Sequence, residues 1–215
     1  MTKASHENSS QGDRVPPPLL IVLSGPSGAG KDALLTRLRE TGYPLKYITT
    51  LTTRPKRAKE QDNRDYHFVS PDKFQEMIKD DELLEWANVY GNLYGVPREP
   101  VKRALESGQN TIVKVDTQGA ATIKKLLPEA VFVFLMPPSL EELTTRLTQR
   151  RTESPFDLAR RINTAQEEIA QLPLFDYLIV SNRDEIDRAA AQIKAIITAE
   201  GCRFQPGWLS TDIHG

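Results

Sequence analysis

Residues 21–38 read "IVLSGPSGAGKDALLTRL". The stretch joins two kinds of element. Leu19–Leu23 is an apolar run long enough for one buried strand. Ala33, Leu34, Leu35 and Leu38 then recur at helical spacing among polar residues. Between them lie Gly25, Pro26, Ser27, Gly28, Ala29, Gly30 and Lys31. A glycine-rich turn between a buried strand and a helix lets successive backbone N–H groups point inward. The helix N-terminus adds partial positive charge, so the turn suits a phosphate. Lys31 is placed to reach the outer phosphates of a nucleoside triphosphate. The glycine gaps are in the wrong order for a dinucleotide fingerprint. Asp32 stands where such loops usually carry Ser or Thr.

The rest of the chain sets bounds on this reading. Its 215 residues suffice for one domain with smaller excursions. Lys and Arg number 28 against 29 Asp and Glu, a net charge of −1. That balance gives no global attraction to nucleic acid or to a membrane surface. No apolar run approaches membrane-spanning length, and no signal-peptide core is seen near Met1. A single cysteine, Cys202, and three histidines make a zinc site unfavourable. One cysteine cannot form an internal disulfide, which fits a reducing, cytoplasmic setting.

Strands are predicted at 19–24, 110–115, 130–135 and 176–180, and helices at 31–41, 118–127, 139–150, 156–171 and 184–200. This alternation predicts an α/β fold with a parallel sheet covered by helices. Residues 45–97 break it: they are dense in Thr, Arg, Tyr and Asn, with short strand-like pieces and one helix near 71–79. Residues 1–17 and 203–215 read as loose tails. Basic residues gather in three places: Lys31 in the loop, "TTRPKR" at 52–57, and the arginine-rich stretch 146–161. Arginine's planar fork pairs two phosphate oxygens at once, so the three clusters suggest a site for two phosphorylated ligands.

The chain resembles guanylate kinase from about Leu19 to Ala199. The residues that carry the resemblance are "SGPSGAGK" at 24–31, "TTRPKR" at 52–57, "DYHFVS" at 65–70, "LLEWANVYGNLYG" at 83–95, "VDTQGA" at 115–120 and "PPSLEELTTRL" at 137–147. The resemblance implies a P-loop nucleoside-monophosphate-kinase fold over residues 18–202. Its core would take 18–49, 98–142 and 170–200, a GMP-binding insertion about 50–97, and a small helical lid about 143–169. It implies transfer of the γ-phosphoryl of ATP, with Mg²⁺, to GMP or dGMP. No nucleic acid or membrane partner is implied, and the expected state is a monomer or homodimer.

The same resemblance implies residue roles. Gly25 through Asp32 would bind ATP. Arg54, Arg57, Tyr66 and Tyr94 match positions that hold the GMP phosphate. Glu85 matches a base-reading carboxylate, Thr50 a hydroxyl at the base, and Asp116 a nucleotide-contacting aspartate. A carboxylate only accepts, and guanine's N1–H and N2–H donate, so Glu85 suits that edge. Lys31, Arg54, Arg146, Arg150 and Arg161 would supply the catalytic charge, the last three from the lid. Gly119 looks like a close-packing glycine. Some positions depart from the pattern. Asp32 replaces a hydroxyl residue and is a possible hard ligand for Mg²⁺. Val96 stands where Ser or Thr often faces the base. Lys114 stands at an often acidic position, where it could compensate Asp32. "IVSNRDE" at 179–185 follows the adenine-side loop only loosely, with Ser181 and Asn182 as candidates.

Two other readings share some of these residues. One is a guanylate-kinase-like binding module without catalysis, which typically lacks the complete loop or the lid arginines. The other is a kinase for a different phosphorylated acceptor, in which Glu85 would lose its purpose.

Overall fold

The computed structural model describes residues 16–58, 60–148, 155–182 and 184–203. Strand β1 (Leu20–Ser24) is buried at every position. It alternates between two cores, as a strand covered on both faces must. Ile21 and Leu23 pack with Leu34 and Leu38 of helix α1 (Lys31–Glu40). Leu20 and Val22 face the opposite core with Val113, Ile123 and Phe132.

Five parallel strands form the main sheet. In chain order they are β1, β2 (Lys46–Ile48), β7 (Thr111–Lys114), β8 (Val131–Met136) and β9 (Tyr177–Val180). Their order across the sheet is β2-β7-β1-β8-β9. β1 pairs with β7 on one side and β8 on the other. Helix α7 (Ile186–Gly201) joins α1 on one face through Ile193 and Ile197. Helices α3 (Arg98–Glu106) and α4 (Thr117–Leu126) cover the other, through Val101, Ala104, Ala120 and Ile123.

The segment 51–97 builds a second sheet. It contains β3 (Leu51–Thr52), β4 (His67–Phe68), β5 (Leu83–Val89) and β6 (Asn92–Pro97), in the order β4-β3-β6-β5. Helix α2 (Pro71–Lys79) covers it and buries Phe74 against Leu51 and Leu83. Ser70 caps this helix by accepting from Lys73 N at 3.2 Å, and Pro71 occupies its first turn. Leu84 of β5 and Val96 of β6 belong instead to the core shared with α3 and α4. This shared packing fixes β5 beside the start of α4. Helices α5 (Leu140–Thr148) and α6 (Pro155–Ala170) pack on each other through Leu143, Leu147 and Ala165.

The strands and helices predicted from periodicity lie where expected, within one or two residues at most ends. Two elements were not predicted. Strand β2 buries only Ile48 fully, so its three residues carry no periodic signal. It belongs to the main sheet, paired with β7, so the irregular stretch begins after it and not at residue 45. Helix α3 starts at Pro97 with no side-chain cap and buries only Val101 and Ala104.

Candidate active site

The strand-to-helix loop bends as its glycines allow. Gly25 has φ 140°, and a Cβ there would lie 2.0 Å from the Leu135 carbonyl oxygen on β8. No other residue fits that contact. Lys31, the first residue of α1, folds back over the loop and donates to the carbonyls of Gly25 and, at 3.3 Å, Pro26. Burial pushes its ammonium below the ordinary lysine value, against the attraction of Glu168 and Asp32. Glu168, on α6, accepts from Ser27 N at 3.2 Å. No motif marked this carboxylate in the sequence.

A cleft of about 680 Å³ runs from the loop to the second sheet. Its walls include Pro26 through Asp32, Thr50, Arg54, Arg57, Tyr66, Glu85, Tyr94, Lys114, Asp116 and Glu168. Of the loop and second-sheet residues singled out from the sequence, Pro26 through Asp32, Thr50, Arg54, Arg57, Tyr66, Glu85, Tyr94 and Asp116 therefore meet in one cavity, while Gly25 and Val96 do not line it.

The acceptor end holds a cation in aromatic and acidic company. Arg54 donates to Tyr94 Oη at 3.2 Å and to Glu60 at 2.7 Å. Its guanidinium lies 5.6 Å from the centre of the Tyr66 ring. Burial alone would weaken the Arg54 charge, but the bonds to Glu60 and Tyr94 reverse this and raise its pKa. Glu60 also accepts from Arg57 N at 2.8 Å, while the Arg57 side chain stays largely exposed. Glu60 was not recognised in the sequence. Its signal was an acid three residues after Arg57, a common spacing for surface pairs.

Deeper in the cleft, Glu85 and Asp116 face one another across the start of α4. Asp116 caps this helix by accepting from Gly119 N at 2.8 Å. Burial raises its pKa, opposed by that bond and by Lys31. Glu85 is 5% exposed. Its Oε2 has no hydrogen-bond partner among the described residues. Burial, with Asp116 second, pushes its carboxyl up to about 8. Thr50 is buried on the same wall. Val96 pairs in register with Glu85 but is wholly buried in the core and does not line the cleft.

A family model described as "Guanylate kinase" matches residues 18–200. The chain belongs to the guanylate kinase family. It is 44% identical over 185 residues to the guanylate kinase of Caldanaerobacter subterraneus subsp. tengcongensis, covering 86% of this chain and 89% of that one. It is 41% identical to the rice protein named guanylate kinase 2, chloroplastic/mitochondrial, covering 86% of this chain and 65% of that one. The crystal structure of guanylate kinase from Anaplasma phagocytophilum superposes with a TM-score of 0.71 at 29% identity, covering 88% and 89% of the two chains.

Some residues that the family resemblance singles out stand outside the cleft or the described structure. Arg146 does not line the cavity. Its guanidinium donates to the Ala29 carbonyl at 3.3 Å and the Ser181 carbonyl at 2.9 Å, and pairs with Glu142 at 2.8 Å. Arg150 lies outside the described residues. Arg161 falls on α6, but its side chain is likewise outside them. Asn182 donates to Glu185, and neither Ser181 nor Asn182 borders the cleft. Asp32 accepts from Lys114 at 2.5 Å, so the compensation anticipated between these two departures is a direct ion pair. Among the described residues no helix is long and apolar enough to cross a membrane.

Proposed function

We propose that this chain moves the γ-phosphoryl of ATP to GMP and also to dGMP, which presents the same base edge and phosphate. The observation that carries the acceptor assignment is the buried Glu85 carboxyl, with an oxygen that has no partner among the described residues, facing a cleft that ends in Arg54, Tyr66 and Tyr94. A carboxylate there accepts from the two donors of guanine. Adenine would set its N1 lone pair against it.

The chemistry follows from charge and position. Backbone N–H groups of the loop and the Lys31 ammonium hold the donor phosphates. Arg54, Arg57, Tyr66 and Tyr94 hold the acceptor phosphate. Thr50, Glu85 and Asp116 place the nucleoside. Arg146, with Arg150 and Arg161, adds charge at the donor as the lid closes and water is excluded. In this reading residues 18–49, 98–142 and 170–200 form the ATP-binding core, about 50–97 the acceptor insertion and about 143–169 the lid.

Magnesium fits this site as a companion of ATP. Among the described residues no cluster of three or more His, Cys, Asp or Glu side chains could hold a metal by itself. Asp32 offers a hard oxygen on the cleft wall beside Lys31. Mg²⁺ is commonly held by one carboxylate plus substrate phosphates, and it supplies positive charge on the phosphate oxygens. Among the described residues, Asp32 would be the one to hold it. The reading is completed by a cytoplasmic monomer or homodimer.

The deciding experiment measures ADP release from MgATP with GMP, dGMP, AMP, CMP or UMP. GMP is expected to exceed AMP by at least about 10³-fold in kcat/KM. Equal rates with AMP would remove Glu85 as base reader, and no acceptor-dependent ADP would leave a binding module.

A further inference from the structure

Lys114 ends β7, directly beside Leu23 of β1. Its side chain is only 10% exposed. The ammonium lies 2.5 Å from Asp32 Oδ1, on the first turn after the donor loop. It also lies 4.0 Å from the centre of the Tyr66 ring, on the acceptor side. Lys114 therefore stands where the two halves of the cleft meet, on a strand paired on both sides.

We propose that Lys114 is a catalytic residue of the phosphoryl transfer, its ammonium contacting the phosphoryl group between the donor loop and the acceptor phosphate. This assignment rests on the guanylate kinase reading above.

A plainer role would be to neutralise Asp32. The burial pattern argues against that role. The Asp32 side chain is 74% exposed and can be hydrated without a counterion. Lys114 is the desolvated member, and an ammonium loses strong hydration when buried. A fold gains nothing by burying a lysine to serve a carboxylate already in water. It gains a fixed, preorganised positive charge in the cleft.

That charge has a use during transfer. An anionic oxygen of the acceptor phosphate forms a bond to the γ-phosphorus. The bond from that phosphorus to the β,γ-bridging oxygen breaks, and its electron pair leaves with ADP. Negative charge spreads over the three equatorial oxygens meanwhile. Lys31 approaches them from the donor side and Arg54 from the acceptor side. Lys114 fills the position between and gives up no proton.

The test is a double-mutant cycle read at saturating Mg²⁺, with wild-type GMP phosphorylation measured first. Lys114→Met keeps the stem and removes the charge. It is expected to lower kcat by about 10²-fold while leaving both KM values within a few-fold. The same factor is expected when Lys114→Met is added to Asp32→Asn. If Lys114 only balances Asp32, its loss in the Asp32→Asn background changes nothing, and the proposal is overturned. A binding readout accompanies the rates. Aluminium fluoride with ADP and GMP mimics the transferring group, and the wild type should hold that complex far more tightly than Lys114→Met, with ADP and GMP alone bound equally. Equal affinity for the mimic also overturns the proposal. Lys114→Arg, which keeps the charge, should recover part of kcat and covers the case in which the Met variant does not fold; no recovery there overturns it as well. An inactive wild type would instead defeat the guanylate kinase reading itself.

Discussion

The carboxyl group of Glu85 lies directly against the backbone of Gly119. A Cβ placed on Gly119 would meet Glu85 Oε2 at 2.7 Å and Oε1 at 3.0 Å. The Glu85 carboxyl and the helix start that Asp116 caps are thus packed with no room for a methyl group. Gly119→Ala must push Glu85 aside. The expected result is a KM for GMP raised about tenfold or more, with the KM for ATP unchanged. Steady-state kinetics with each substrate varied in turn checks this.

If Glu85 reads the base as proposed, GMP binding is expected to depend on pH. Its carboxyl is pushed up to about 8 from an unfolded value of 4.5. Guanine needs the ionised form. GMP affinity should therefore fall as pH drops below 8, by up to about tenfold per pH unit, and binding at pH 7 should release a proton. Calorimetry in two buffers of different ionisation enthalpy measures that proton. Stability runs the other way. The protonated form is favoured in the fold, so this contribution is full below pH 4.5 and is lost as pH rises through 8. Glu85→Gln should raise Tm relative to wild type at pH 8 but not at pH 4.5, and should flatten the GMP trend.

Arg146 joins the phosphate loop to the segment after β9 by bonding the Ala29 and Ser181 carbonyls at once. Removing a mostly buried guanidinium leaves those partners unsatisfied. Arg146→Ala should cost about 1–3 kcal/mol of stability and weaken ATP binding. GMP affinity should not change. Thermal unfolding together with separate titrations of the two nucleotides distinguishes this from a role at the acceptor.

Asp32 is tested through the metal. If its carboxylate helps hold Mg²⁺ on ATP, Asp32→Asn should raise the Mg²⁺ concentration that gives half-maximal rate, and Asp32→Ser should keep activity through its hydroxyl. A Mg²⁺ requirement that stays put in Asp32→Asn would remove Asp32 as a metal ligand.

Much of the fold could be read before the structure because β1 and α1 obey their periods strictly. Ile21 and Leu23 alternate with Leu20 and Val22, and Leu34 and Leu38 return one turn apart. Strand β2 and helix α3 were missed because their burial is shared with neighbours distant in sequence, which leaves little periodic trace. In the site, the loop, Glu85, Arg54 and the tyrosines were recognisable from motifs. Glu60 and Glu168 were not. A carboxylate that organises an arginine, or bonds a loop N–H from a helix far along the chain, has no local signature. Arg146 was singled out from its motif, yet its grip on two carbonyls depends on α5 lying across the loop.

The strand order also bears on how the molecule is made. Leu20 of β1 finds its partner at Thr111, and Ile21 meets Val131 on the other side. During synthesis this buried, apolar strand therefore emerges early and waits, both edges unpaired, until the whole second sheet has been translated. Closing so long a loop is slow, and an open apolar strand is sticky meanwhile. Nascent chains halted before residue 111 should be the ones that chaperones retain. Shortening the intervening segment should speed refolding of the main sheet even where it abolishes acceptor binding.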